Sequence, residues 1–265
     1  MSLRAFTFVF LAALALCGGL AVHAAPPSTV ERTRVEPVQP EPEQRTLVAN
    51  KFLNVTKTPL YFKLLSVTVF AKQTVTASGA ETVIYQLTGT TEVVLGRQKK
   101  KTLKAGDALL IIAGQKADLK TGAGPSAFVT FNLVAEADLE RPLISTPSIV
   151  TELFRSPTAL PGLEPGRYDL DFTEVTLPAS MALDAPHHRS GAALYYVTAG
   201  IGLSAIPGTK TTEAPVGKIV YTPAGLVHQW GNQRDTPTKF VVFNLNPLGT
   251  PAVKPGDPTT RPASR

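Results

Sequence analysis

Three histidines at two places define the chemistry this chain can attempt. His187 and His188 are adjacent, and His228 follows forty positions after His188. A neutral imidazole is a ligand for transition metals and a proton carrier near neutral pH, so a site built on these side chains could hold a metal or move a proton. His228 lies in GKIVYTPAGLVHQWGN, where Gly217, Pro223, Gly225, His228 and Asn232 follow the spacing G-x5-P-x-G-x2-H-x3-N. Each residue type has a local reason. Gly217 permits the positive φ of a hairpin corner, and Pro223 and Gly225 turn the next strand tightly. His228 then begins a strand on which His228, Trp230 and Asn232 share a face.

The fourth histidine, His23, and the single cysteine, Cys17, fall in a segment that reads as an export signal, residues 1–24. Arg4 is its basic start, Ala5 to Leu16 its apolar run, and Val22-His23-Ala24 its cleavage region. The mature protein is therefore expected to be periplasmic or secreted and to have no disulfide. A lipidated Cys17 is the competing reading, against which Leu16 is bulkier than such processing accepts. The apolar run is too short and too interrupted by glycine for a membrane span, so no membrane association is expected once the signal is removed.

Removing Arg4 takes the formal net charge from +6 to +5. The basic balance has a local source in Arg97, Lys99, Lys100, Lys101 and Lys104, with Lys116 and Lys120 beyond. No aromatic residues interleave these charges, which favours a solvated hairpin over a nucleic-acid surface. Residues 25–45 and 248–265 are rich in proline and charge with little to bury, and both are expected to be disordered.

Between these flanks the chain is duplicated. FVTFNLVA from Phe128 returns as FVVFNLNP from Phe240, and Gly89, Gly106 and Gly114 return as Gly200, Gly217 and Gly225. Pairing Tyr61 with Tyr168 implies about four extra residues in the second copy, in the segment that carries His187 and His188. Short alternating or β-branched runs broken by turn residues give an all-β fold of the sandwich or barrel kind.

The His228 motif has the spacing of the second motif of the cupin superfamily, and the chain resembles a bicupin: two tandem jelly-roll barrels, 46–145 and 146–247, with disordered N- and C-terminal flanks. The resemblance implies a ligand face inside the second barrel. Cupins that hold metal carry two histidines two apart, a glutamate four further on, and a glycine after six more residues. Here those positions are His187, Arg189, Ala193 and Gly200, with Tyr196 and Val197 before the glycine. The carboxylate is missing and an arginine replaces one histidine. The first copy has Ile112, Ala117 and Thr121 in place of Pro223, His228 and Asn232, and no histidine in its first motif; Glu81 lies one residue out of register. It is read as a degenerate, structural copy.

Three readings stay open. In a binding module, His187, Arg189, Tyr196, His228 and Trp230 would hold a small molecule, which the arginine would favour as a carboxylate or phosphate. In a mononuclear metalloenzyme resembling bicupin dioxygenases, a one-residue shift would bring in His188, and His187, His188 and His228 would bind Fe, Mn, Ni, Cu or Zn. The third is a structural or homo-oligomerising domain, in which the histidines are a retained pair. Asp184, Glu174 and Glu213 are expected to face solvent.

Overall fold

The structure is a computed structural model that describes residues 40–56, 58–96 and 99–257. The segment read as an export signal, with Cys17 and His23, lies outside them, as do residues 25–39 of the Pro-rich flank, Arg97 of the basic hairpin and residues 258–265 of the tail. β-Branched and aromatic residues in alternation make strand the dominant element. The first copy supplies β1 (Glu43–Val55), β2 (Leu60–Val69), β3 (Thr74–Ser78), β4 (Glu81–Thr88) and β5 (Thr90–Leu95). It continues with β6 (Lys99–Lys104), β7 (Ala108–Ile111), β8 (Lys116–Thr121) and β9 (Ser126–Ala135). A short 3-10 turn, Glu136–Asp138, follows. The second copy supplies β10 (Ile149–Arg155), β11 (Gly166–Leu177), β12 (His187–Arg189), β13 (Ala192–Ala199) and β14 (Ile201–Ala205). Its remaining strands are β15 (Thr212–Pro215), β16 (Ile219–Thr222), β17 (Gln229–Gly231), β18 (Thr238–Pro247) and β19 (Val253–Pro255).

Each copy is a two-sheet jelly roll whose sheets do not join into a closed barrel. In the first, the sheet β10-β2-β9-β4-β7 packs on β3-β8-β5-β6; in the second, β1-β11-β18-β13-β16 packs on β15-β14-β17. The division at 145/146 does not hold at the level of sheets. β1 pairs with β11, with Leu53 opposite Tyr168, and β10 pairs with β2, with Thr151 opposite Ser66. Each copy thus lends its first strand to the other's large sheet. The expected disorder of 25–45 likewise stops short, because Glu43, Gln44 and Arg45 are already in register with β11.

Strand alternation sorts the side chains into three cores. Phe128, Ile84 and Leu119 fill the first jelly roll, and Val175, Tyr195, Trp230 and Phe240 the second. The largest core lies between the two five-stranded sheets, where Phe62, Phe131, Phe172, Leu194 and Phe243 meet. Its rings lie 4.9 Å apart for Phe131 and Phe172, 5.3 Å for Phe62 and Phe243, and 5.8 Å for Phe131 and Phe243. Within the repeated FV-x-FNL stretch, the first phenylalanine therefore serves its own copy and the second joins the copies together.

The ladders correct the repeat alignment. Tyr168 is opposite Pro247 and Leu60 opposite Ala135, so the counterpart of Tyr168 is Leu60 rather than Tyr61. The second copy therefore carries three extra residues before Gly200, not four, from the change of offset between 168 − 60 = 108 and 200 − 89 = 111. Gly200 has φ +73, and a Cβ there would sit 2.7 Å from the Pro237 carbonyl oxygen. Only glycine fits where the next hairpin crosses so closely. In the basic hairpin, Lys100 pairs with Glu92 and the Lys101 ammonium donates to the Ala108 carbonyl. These charges lie on the edge strand β6, where they also discourage pairing with another chain.

Candidate functional site

His187 and His228 face one another across a two-strand bridge. Each backbone N–H donates to the other's carbonyl, at 3.1 and 2.8 Å, and the rings are 4.5 Å apart. In the first copy the same ladder sets Ala77 opposite Ala117, both fully buried, so the histidine pair has been exchanged there for core methyl groups.

The alternation along β12 brings Arg189 in with His187. Arg189 is 9% exposed, and its Nε–H donates to the Tyr195 hydroxyl at 3.0 Å. The hydroxyl in turn donates to His228 Nε2 at 2.7 Å, and His228 Nδ1–H donates to the Leu226 carbonyl at 2.9 Å. The Leu226 oxygen can only accept, which assigns the tautomer of His228 and the direction of the whole chain. Burial, reinforced by the positive field of His187 and Arg189, lowers the His228 pKa to about 4. His228 is neutral at physiological pH. Burial also raises the Tyr195 pKa, so its proton stays in the chain.

Behind this chain lies a row of polar residues that alternation turns into the second jelly roll. Asp171 is opposite Asn244, Asn244 opposite Ala193, and Ala193 opposite Thr222. Neither the nitrogen nor the oxygen of the buried Asn244 amide has a hydrogen-bond partner among the described residues, and neither has Trp230 Nε1. The first-copy counterpart is fully satisfied. There Thr82, in the place of Ala193, donates to Asn132 Oδ1 at 2.8 Å, and the Asn132 amide donates to the Lys63 and Thr130 carbonyls. The second copy has lost that hydroxyl and kept the amide. Burial raises the Asp171 pKa, Asp169 adds to the rise, and Arg189 opposes it.

Several sequence expectations fall elsewhere. Tyr196 is not in the site, because it occupies the opposite face of β13 and packs 6.5 Å from Phe131 in the core between the sheets. Tyr195 takes its place. His188 stays half-exposed, with Nδ1 3.3 Å from the Arg189 carbonyl oxygen, and does not join His187 and His228. Trp230 is buried and stacked on Phe240 at 4.5 Å, which makes it core rather than an open wall. Asn232 is consumed by carbonyls of Leu177, Pro178 and Thr236. Asp184 does not simply face solvent: it accepts the Trp230 N–H at 2.8 Å and lies 3.6 Å from His187. Glu174 is buried, accepting from Tyr85 and pairing with Arg45, whereas Glu213 is exposed and pairs with Arg234.

Of the tail expected to be disordered, 248–265, the described part, 248–257, instead straps the site. β19 pairs with β12, placing Pro255 opposite His187 and Val253 opposite Arg189. Gly256 N–H donates to the Pro186 carbonyl, and a Cβ on Gly256 would meet Val227 at 2.7 Å. The first copy has the same device, with Ile144 bridged to Ala77.

The transition metal implied by the motif spacing does not fit this donor set. Both nitrogens of His228 are engaged, Ala193 offers no carboxylate, and Arg189 brings a permanent positive charge into the site. His187 Nδ1 is also held, 3.0 Å from the Ala185 carbonyl oxygen, which leaves Nε2 of His187 as the one free nitrogen of the facing pair. Among the described residues no three His, Cys, Asp or Glu side chains are grouped to hold a metal ion.

Residues 173–244 match the Cupin domain family. Among solved structures, a variant of oxalate decarboxylase from Bacillus subtilis is similar over 80% of this chain and 78% of its own, at 12% identity and a TM-score of 0.50. Salicylate 1,2-dioxygenase from Pseudaminobacter salicylatoxidans aligns over 68% of this chain and 70% of its own, at 13% identity and a TM-score of 0.47. Vicilin from hazelnut, Corylus avellana, aligns over 71% and 76%, at 12% identity and a TM-score of 0.48. No curated protein matches the chain. At these identities the likeness is one of fold.

Proposed function

We propose that the chain is a cupin whose second jelly roll, which carries the matched domain, binds a small molecule through a carboxylate or phosphate group. The observation that carries the reading is the buried Asn244 amide, which has no hydrogen-bond partner among the described residues and lies opposite Asp171, whose carboxyl feels the charge of Arg189. An unsatisfied buried amide costs stability unless a water or a ligand completes it. Arg189 supplies the charge an oxyanion needs, and Tyr195 holds its Nε so that the guanidinium keeps its orientation. The neutral His228 fixes Tyr195 from the other side without adding a second charge.

Titration calorimetry with benzoate, oxalate and inorganic phosphate tests this. Arg189→Ala is expected to weaken binding by about 1.5–3 kcal/mol, the scale of a hydrogen bond to a charged group. Asn244→Leu is expected to weaken it too, while leaving the melting temperature unchanged or higher, because replacing an unpaired buried amide by an apolar group of similar shape is neutral or stabilising. Wild-type protein that binds none of the three anions, or an Arg189→Ala variant that binds as tightly, overturns the proposal. The competing metalloenzyme reading requires near-stoichiometric metal in protein from its native compartment, lost in His228→Ala.

We also propose that the protein is exported and works in the periplasm or outside the cell, from the signal-like residues 1–24. A full-length tagged copy that fractionates with the cytoplasm and keeps its N-terminus would overturn this.

A further inference from the structure

The first copy, with no histidine of its own, has a recess that the second copy has closed. A cavity of about 330 Å³ opens against Asn54, Thr56, Leu60, Glu81, Ala113 and Leu133. The counterpart position in the second copy, beside Tyr168, Ala192, Ala224 and Leu245, keeps only about 40 Å³, because Leu160 and Leu163 fill it. The difference comes from the links. Ten residues, 156–165, connect β10 to β11 and have the length to fold two leucines inward, whereas four, 56–59, connect β1 to β2.

Glu81 gives the recess its chemistry. Its counterpart is Ala192, opposite Leu245 as Glu81 is opposite Leu133, so the carboxylate is particular to the first copy. The backbone N–H groups of Glu81 itself and of Ala113 favour its charged form against the burial that opposes it. No cation among the described residues pairs with it. The other acid lining the recess, Asp138, is taken by Arg141 at 2.7 Å. Val55, Leu60, Leu133 and Ala135 supply the apolar part of a wall that is otherwise mostly polar, with Asn54 and Thr56 beside them. We propose that this recess is a second ligand site, which takes a small primary amine with a short apolar body, the ammonium on Glu81 and the body against Leu60 and Leu133. The volume is that of a small-molecule pocket. Burial pushes the Glu81 carboxyl up, and a bound ammonium would relieve that penalty.

The test uses the full chain and three probes of one shape: phenethylamine, 2-phenylethanol and 3-phenylpropionate, followed by amide chemical shifts at Ala80, Ala113 and Gly114. The amine is expected to bind on the order of tenfold more tightly than the alcohol, and the carboxylate not at all. Glu81→Gln, which keeps an acceptor for the Ala113 N–H, is expected to bring amine and alcohol to equal affinity. Ala113→Phe, at an exposed lining position, is expected to weaken both. Equal affinity for amine and alcohol in the wild type, no amine binding, or an unchanged amine affinity in Glu81→Gln overturns the proposal. Arg189→Ala is expected to leave amine binding untouched, so failure here is separable from failure of the oxyanion site.

Discussion

Replacing Phe243 with alanine is expected to lower the unfolding free energy by about 3–5 kcal/mol, the cost of deleting a fully buried ring and leaving its cavity. Phe243 has no exposed surface and touches Phe62 and Phe131, which belong to the other copy's sheet. The loss should therefore be felt by both jelly rolls at once. Denaturant unfolding read by circular dichroism and by the single Trp230, which reports only the second jelly roll, is expected to give one coincident transition in wild type and variant. Phe131→Ala should cost a similar amount, and the double variant less than the sum, since the rings are 5.8 Å apart and share one cavity. A cost below about 1 kcal/mol would place the binding energy of the copies elsewhere. Separate transitions for the two probes would show that the copies are independent domains.

That prediction marks where the sequence stops being legible. Strand composition, the repeated FV-x-FNL stretch and the motif around His228 were enough for two jelly rolls in tandem. Which phenylalanine serves which core was not, because Phe240 and Phe243 differ in strand parity rather than in type. Parity also explains the exchange of Tyr195 for Tyr196: the position of Ala193 inside the jelly roll requires Tyr195 inside and Tyr196 outside. The strand β19 had no pattern to find, since Val253-Lys254-Pro255 pairs through its backbone. Asn244 was visible as the counterpart of Asn132, but the signal lay in Thr82 and Ala193, whose difference leaves one amide satisfied and the other not. The direction of Arg189 was a choice between two registers of one strand. The structure takes the register that buries the guanidinium and leaves His188 at the surface.

Acid is expected to undo this same cluster through His228. A histidine ordinarily titrates near 6.5, and burial holds His228 at about 4 in the folded protein. Above pH 6.5 both folded and unfolded chains carry it neutral, and its stabilising contribution is fully present. As pH falls below 6.5 the unfolded chain takes up a proton that the folded chain refuses, so stability declines until about pH 4, where both are protonated. The gap between 6.5 and about 4, at 1.36 kcal/mol per pH unit, amounts to about 3 kcal/mol. Asp171 and Asp184, whose pKa values burial raises, work in the opposite sense as they protonate, so the wild-type curve alone does not isolate the histidine. The comparison with His228→Gln does, because glutamine can still accept from Tyr195 and cannot titrate. The stability difference between wild type and His228→Gln is expected to shrink by about 3 kcal/mol from pH 7 to pH 4, measured by urea unfolding at each pH. Parallel curves would mean that His228 is not held neutral. A protonated His228 can no longer accept the Tyr195 hydroxyl, and Tyr195 is what fixes the Nε of Arg189. Loss of affinity for inorganic phosphate, which stays a monoanion from about pH 6 to about pH 4, should therefore follow the same fall in pH, and should do so in wild type but not in His228→Gln.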